Sequence, residues 1–401
     1  MGDVSVSGDV EQVVQQRNVA VDAYRGLVML LMMAEALEFV HVARALPGNP
    51  VWQFLAGCQT HVLWAGMSLH DTIQPGFTFL VGVALPYSLG SRQRRGESFR
   101  HMLLHTIWRS LVLVALGIFL RSIYSTQTFF TFVDTLTQIG MGYTFAFLLT
   151  LARPRWQWIA LDGILFAYWL AWALYPAPGP DFVWAAVGVT PMFRGLMYTG
   201  FASHWDMNSN LGHAFDVWFL NLFPQASRFT FNPGGYVTLS FIPTLGTMLL
   251  GVIAGRWFLE STPKIPLRRF LVAAAALCAA GLLLHFTGIC PIVKRIWTPS
   301  WTLFSGGVCF LFLAAFSWVV DVKKHRKIVF PLVVVGMNSI AAYVMSSVCG
   351  DFVRNSFTIH LGALLKLAGP VFEPTVLGVL TLAVYWLVLY WMFKKKIFVK
   401  I

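Results

Sequence analysis

The stretch QTHVLWAGMSLHDTIQPGFTFLVG, Gln59 to Gly82, sets His61, His70 and Asp71 at the edge of a long apolar run. A neutral imidazole beside a carboxylate can act as general base or nucleophile near pH 7, so His61 with Asp71 is the first candidate for chemistry. A lone interfacial histidine is more often a solvated loop residue. The company of His61 argues for more: Trp64, Gly66, Asp71 and Pro75 follow it within fifteen residues. His70 adjoins Asp71 and competes for the same role. His204 and His213 are weaker candidates, with solvated loop positions as the plainer reading. The histidines show no zinc-ligand spacing, so no metal is expected.

Charges inside apolar segments are the second chemical signal, because each costs roughly 2.5–3.5 kcal/mol on insertion scales. Asp22 and Arg25, in RNVAVDAYRG, are spaced for a local i,i+3 ion pair. Glu35 and Glu38 lie further along the same segment, and their spacing predicts one shared helix face turned to a cavity or partner. Arg109 falls inside another apolar segment and needs a carboxylate, phosphate or carbonyl partner; Asp71 is one option. No phosphate-binding glycine loop, dinucleotide fingerprint, HExxH or GxSxG motif occurs.

These residues need elements to hold them. The chain has 401 residues, 57% of them hydrophobic and only 11% charged, against about 25% charged in a soluble protein. Apolar runs recur at about 20 residues, the length that crosses a bilayer core as a helix. The expected fold is an all-α polytopic membrane protein with about ten transmembrane helices. They fall near 21–41, 73–91, 101–121, 133–152, 155–175, 237–256, 267–287, 300–320, 329–349 and 373–393. No internal repeat is apparent. The polar, mildly acidic segment 1–16 lacks a secretory signal and reads as a cytoplasmic tail, with 17–401 as the membrane domain.

Lys and Arg sort between alternate connections. One set, running from Arg17 through Arg92, Arg94 and Arg95 to Lys394–Lys396 and Lys400, holds nineteen; the opposite set, from Arg44 to Lys366, holds eight. The positive-inside rule then puts both termini in the cytoplasm. The net charge of +12 is accounted for by topology, with anionic lipid as a further contact, and nucleic acid is not expected as a partner. The same orientation sets His61 outside the cytoplasm, in a multi-pass protein of the inner or plasma membrane. It also exports the largest connection, 176–236, whose aromatics, prolines and polar residues are too apolar for a disordered linker. This segment is expected to fold over the outer mouth of the bundle as a lid or binding element. Five cysteines are scattered without a metal spacing, and a Cys58–Cys290 disulfide is geometrically allowed if both face outside.

Two motifs carry a resemblance. RNVAVDAYRGLVMLLMM looks like the opening of membrane acyltransferase domains, roughly R-x-x-S-x-D-x-F-R-G. THVLWAGMSLHDTIQPGFTFLVGVAL resembles H-x-x-W-x-G-x-x-x-x-D-x-x-x-P-x-F-x-F-x-x-G of the heparan-α-glucosaminide N-acetyltransferase family, in its bacterial type. That pattern falls on His61, Trp64, Gly66, Asp71, Pro75, Phe77, Phe79 and Gly82. WRSLVLVALGIFL, FNPGGYVTLSFIPTLGTMLLGVIAG, RIWTPSWTLFSGG and FPLVVVGMNSIAAYVM follow in order. The likeness runs from Arg17 to about residue 350. Three places depart from it: Ala20 replaces a serine, Ala36 an asparagine beside Glu35, and Leu136-Thr137-Gln138 stands where the family has Leu-Gln-Arg, without the arginine.

The resemblance implies acyl transfer across a membrane, from cytoplasmic acetyl-CoA to an amino or hydroxyl group of a sugar or glycan on the far side. His61 would carry the acetyl group or activate the acceptor, with Asp71 orienting it. Arg25, Arg92, Arg94, Arg109 and Asn338 are the expected donor-binding residues, since a guanidinium matches phosphate bidentately. Glu35, Trp64, Trp205, Asp216 and Trp218 are the expected acceptor-binding residues, and on this reading His70 is a bystander. Membrane lipid and the glycan are the expected partners, with a homodimer left open. A transporter or flippase of a polar or lipid-linked solute, routed past Glu35, Glu38 and Arg109, is the rival reading. A non-catalytic assembly or sensory component is the third.

Overall fold

A computed structural model describes residues 18–262 and 264–399. The expected tail 1–16, Arg17 and Lys400 lie outside the described residues. The described part is built from helices and their connections, with one isolated bridge, Ala65 to Val293, in place of any sheet. Six helical stretches in it are long and apolar enough to cross a membrane, and up to eight if two bent pairs each count as one span. All ten expected segments carry helix, but two fall short as spans. Thr135–Leu151 is short, and Ile73–Arg94 has the length but, with Gln74, Pro75, Pro86 and its glycines, is not counted among the apolar spans.

The chain divides into two compact units. The first comprises the segment up to His61, residues 68–73 and residues 311–400. Helix α1 (Val19–Met33) opens it, capped by the Asn18 side chain, which accepts from the Val21 N–H at 3.1 Å. The helix tightens into a 3-10 turn at Ala34–Leu37 and breaks at Glu38, whose φ is 49°. Helix α2 (Phe39–Ala45) continues at a 43° bend. Helix α3 (Pro50–Gln59) follows, with Asn49 as its cap and proline in the first turn, where a missing N–H costs nothing.

A chain break inside a membrane frees backbone groups that lipid cannot satisfy. Here Gln59 satisfies two of them. Its Oε1 accepts from the Phe39 N–H at 3.0 Å, and its Nε2 donates to the Ala34 carbonyl at 2.6 Å. At the far end of the chain lie α4 (Phe330–Met337) and α5 (Ser339–Val348), bent by 78° at Asn338. Helices α6 (Gly350–Leu365) and α7 (Gly369–Lys394) complete the unit. Helix α7 passes so close to the 3-10 turn that a Cβ on Gly378 would collide with the Ala36 carbonyl. Glycine there lets the helix lie directly on the broken segment.

The second unit comprises residues 62–67 and 74–310. Its central helix, α8 (Phe241–Ser261), is the most buried of the candidate spans. Against it stand α9 (Ile73–Arg94), α11 (Thr135–Leu151), α12 (Pro154–Leu174) and α13 (Leu267–Phe286), and α10 (Phe99–Ser122) packs on α11. The connection 176–236 is ordered, as its composition requires. Short 3-10 turns and α14 (Leu211–Phe219) pack Trp205, Met207 and Val189 with Trp64, Val237, Val293 and Tyr168 and Trp172 of α12. Cys58 and Cys290 are not bridged.

Candidate active site

The sequence Ser68-Leu69-His70-Asp71 forms a capping box before the apolar run of α9. The Asp71 N–H donates to Ser68 Oγ at 3.3 Å, and the Ser68 N–H donates back to Asp71 Oδ2 at 3.0 Å. The Ser68 hydroxyl also donates to Oδ2, at 2.9 Å. One carboxylate oxygen is thereby fixed by serine, and the other points to the His61 ring, with Oδ1 2.7 Å from Nδ1. Asp71 is fully buried, whereas the His61 side chain is 38% exposed. The dyad thus has a dry carboxylate behind an accessible imidazole. In the connection from His61 to Ser68, Gly66 adopts φ 112°, a conformation that a side chain would strain.

His70 belongs to the same cluster. Its buried ring stands 4.6 Å from that of His61, centroid to centroid, and its Nε2 meets Glu35 Oε1 at 2.8 Å. The residue expected to be a bystander is thus set inward by the capping turn, next to His61. Glu35, Glu38, Val40, His41, Arg44, Gln59, His61 and His70 line one cavity of about 520 Å³. Glu35 and Glu38 both reach it, but not from one helix face, since the helix ends before them. Glu38 pairs with Arg354 of α6. His41 Nε2 lies 3.1 Å from the Pro370 carbonyl at the start of α7. Gln59, Ser68 and Arg354 are the contributors that reasoning from the sequence missed. Only Ser68 left a local signal, the S-x-x-D spacing.

The other expected residues lie elsewhere or are already engaged. Arg25 is held by Asp22 at 3.0 Å, as the spacing predicts. Arg92 and Arg94 occupy the last turn of α9, a helix of 22 residues and thus about 33 Å long. Arg109 donates to the Tyr143 hydroxyl at 3.0 Å and lies 4.8 Å over that ring. The two options for Asp71 thus resolve in favour of His61. Asn338 is fully buried and spent on the chain itself: its amide donates to the Ile397 carbonyl at 3.0 Å and accepts from the Val399 N–H at 3.1 Å.

The expected acceptor-binding residues divide similarly. Trp64 and Trp205 are core residues that offer no ring face to a sugar. Asp216 is buried and accepts from the Thr238 N–H at 3.0 Å. Burial pushes its carboxyl up to about 7, only partly opposed by Thr238. Asp206 in the same connection is likewise raised to about 7 by burial, against the Tyr198 N–H and Arg194. Trp218, exposed on α14, keeps a free ring surface.

A bundle of apolar helices, two of its spans broken, with an exposed imidazole backed by a buried carboxylate, defines an integral multi-pass membrane protein with a polar site capable of acid–base or nucleophilic chemistry. No family model matches the chain. It is similar to two curated proteins named heparan-alpha-glucosaminide N-acetyltransferase. The one from Mus musculus is 26% identical and the one from Homo sapiens 25%, each alignment covering 95% of this chain. The chain spans about 60% of the length of these relatives.

Proposed function

We propose that this protein is a transmembrane acyltransferase, moving an acetyl group from acetyl-CoA to an amino or hydroxyl group of a sugar through His61. The observation that carries this reading is the 2.7 Å contact of His61 with Asp71 at the wall of the 520 Å³ cavity. The acetyltransferase names of both relatives support it. A carboxylate on Nδ1 holds the proton there and leaves Nε2 with its lone pair, the form required of a nucleophile or base. As Nε2 attacks a thioester carbonyl, the ring becomes cationic and Asp71 offsets the charge while CoA leaves as thiolate. Where His61 instead serves as base, Nε2 takes the proton of the acceptor as it attacks the thioester.

The basic connections sort to one side by count. On that basis both termini face the cytoplasm, ten segments cross, and His61 and the 176–236 subdomain face outward in the inner or plasma membrane. Arg92 and Arg94, in the last turn of α9, are the proposed phosphate contacts of the donor, with Arg25 and Arg109 joining if they exchange their present partners. Trp218 is the proposed stacking surface for the glycan. Purified protein mixed with acetyl-CoA is expected to gain an acetyl mass on His61 or, on the base route, to form acetylated acceptor without it. His61→Ala should lose acetyl transfer while keeping its thermal transition, and full activity in that variant would sink the proposal.

The transporter reading draws on one observation, the breaks at Glu38 and Asn338, because discontinuous spans line solute sites in transporters. Uptake into vesicles without any acyl donor would favour it.

A further inference from the structure

We infer that Glu35 is a second catalytic carboxylate in this cavity, the proton acceptor for the amine that takes the acyl group, and that His70 is the positioning residue that aims it. The inference rests on the acyltransferase reading, in its covalent route and for an amine acceptor. Once His61 Nε2 carries an acyl group, that ring has no site for another proton: Nε2 is blocked, and Nδ1–H is held by Asp71 at 2.7 Å. A free amine attacking the acyl carbon forms a C–N bond and becomes an N–H cation. It must shed one proton before the acyl–imidazole bond breaks and His61 departs with the electron pair as neutral imidazole. The acylated ring itself cannot take that proton.

The cavity supplies another base. The Glu35 side chain is 61% exposed and lines the same cavity as His61. Its Oε1 is tied at 2.8 Å to Nε2 of His70, whose side chain is only 6% exposed and whose ring packs 4.6 Å from that of His61. A buried imidazole gripping an exposed carboxylate restricts where that carboxylate points, and all three side chains line the one cavity. The other carboxylate lining the cavity, Glu38, is paired with Arg354. The motif pattern specifies neither position: His70 falls on an open place in it, and Glu35 stands beside the alanine that replaces an asparagine.

The test uses full-length protein in nanodiscs with acetyl-CoA and glucosamine, following acetyl mass on the protein and N-acetylglucosamine formed. In Glu35→Gln the protein should acylate at the wild-type rate while transfer to glucosamine falls about 100-fold, a usual worth of a general base. Formate added to Glu35→Ala should restore transfer without changing acylation, a response that a structural role would not give. His70→Gln should lower transfer by less than Glu35→Gln, with acylation unchanged. Wild-type transfer by Glu35→Gln, or product formed with no acylated protein at any time, would overturn the inference and leave the acyltransferase reading standing. Full activity in His61→Ala would overturn both.

Discussion

At the scale of the residue, the site depends on which proton sits on which nitrogen of His61. Asp71 imposes Nδ1–H because an ionised carboxylate can only accept. Asp71→Asn would present a side chain able to donate, favouring the opposite tautomer and placing the proton on the nitrogen that must react. The expected loss is about 10³- to 10⁴-fold in kcat with little change in KM, measured by steady-state acetyl transfer. Ser68→Ala removes one hydroxyl bond to the carboxylate and leaves the backbone one, so a smaller loss, about 10-fold, is expected from the same assay. His61 and Asp71 could be picked out from sequence because both sit in one short motif, and Ser68 could have been, as the first residue of a capping box. The Glu35–His70 contact was hidden, because nothing local indicates that residues 35 apart will meet. Trp64, Trp205 and Asp216 are buried for a reason that the sequence hides. An aromatic or acidic residue between helices reads as available to ligand, and only packing reveals that Trp64 and Trp205 share one core with Tyr168 and Trp172 of α12.

At the scale of the element, the informative feature is the broken span at Glu38. Its hydrophobic run reads as one continuous helix, since a left-handed residue is invisible to periodicity, and so Glu35 and Glu38 were given one helix face. The break moves both side chains to the cavity wall by another route. It persists because Gln59 satisfies the groups it frees and α7 packs against it at Gly378. Gln59→Leu would leave the Phe39 N–H and the Ala34 carbonyl without those partners, at about 1–3 kcal/mol for each group that stays buried. A fall in thermal transition is expected, together with loss of acetyl transfer, since Glu35 is carried on that turn. Gln59→Glu keeps an acceptor for Phe39 and loses the donor to Ala34, so it should lie between the wild type and Gln59→Leu in both measurements.

At the scale of the whole molecule, the helical class and most of the helix positions follow from composition and run length, whereas the 176–236 connection adds a dependence on pH that no motif announces. Asp206 and Asp216 lie buried there, each with its carboxyl raised to about 7 by burial. In the unfolded connection an aspartate ionises near 3.9. Below that value both states hold the proton, and the connection is at its most stable with respect to these groups. Between about 4 and about 7 the unfolded state releases protons that the folded state retains. Stability then falls by up to roughly 1.4 kcal/mol per pH unit for each carboxyl, and levels off above 7. Hydrogen exchange of residues 198–219 should therefore show greater protection at pH 5 than at pH 8. In Asp206→Asn/Asp216→Asn, where neither side chain ionises, the difference should shrink once intrinsic exchange rates are removed. Equal corrected protection at the two pH values in the wild type would mean that both carboxyls ionise without cost in place, against the burial that surrounds them.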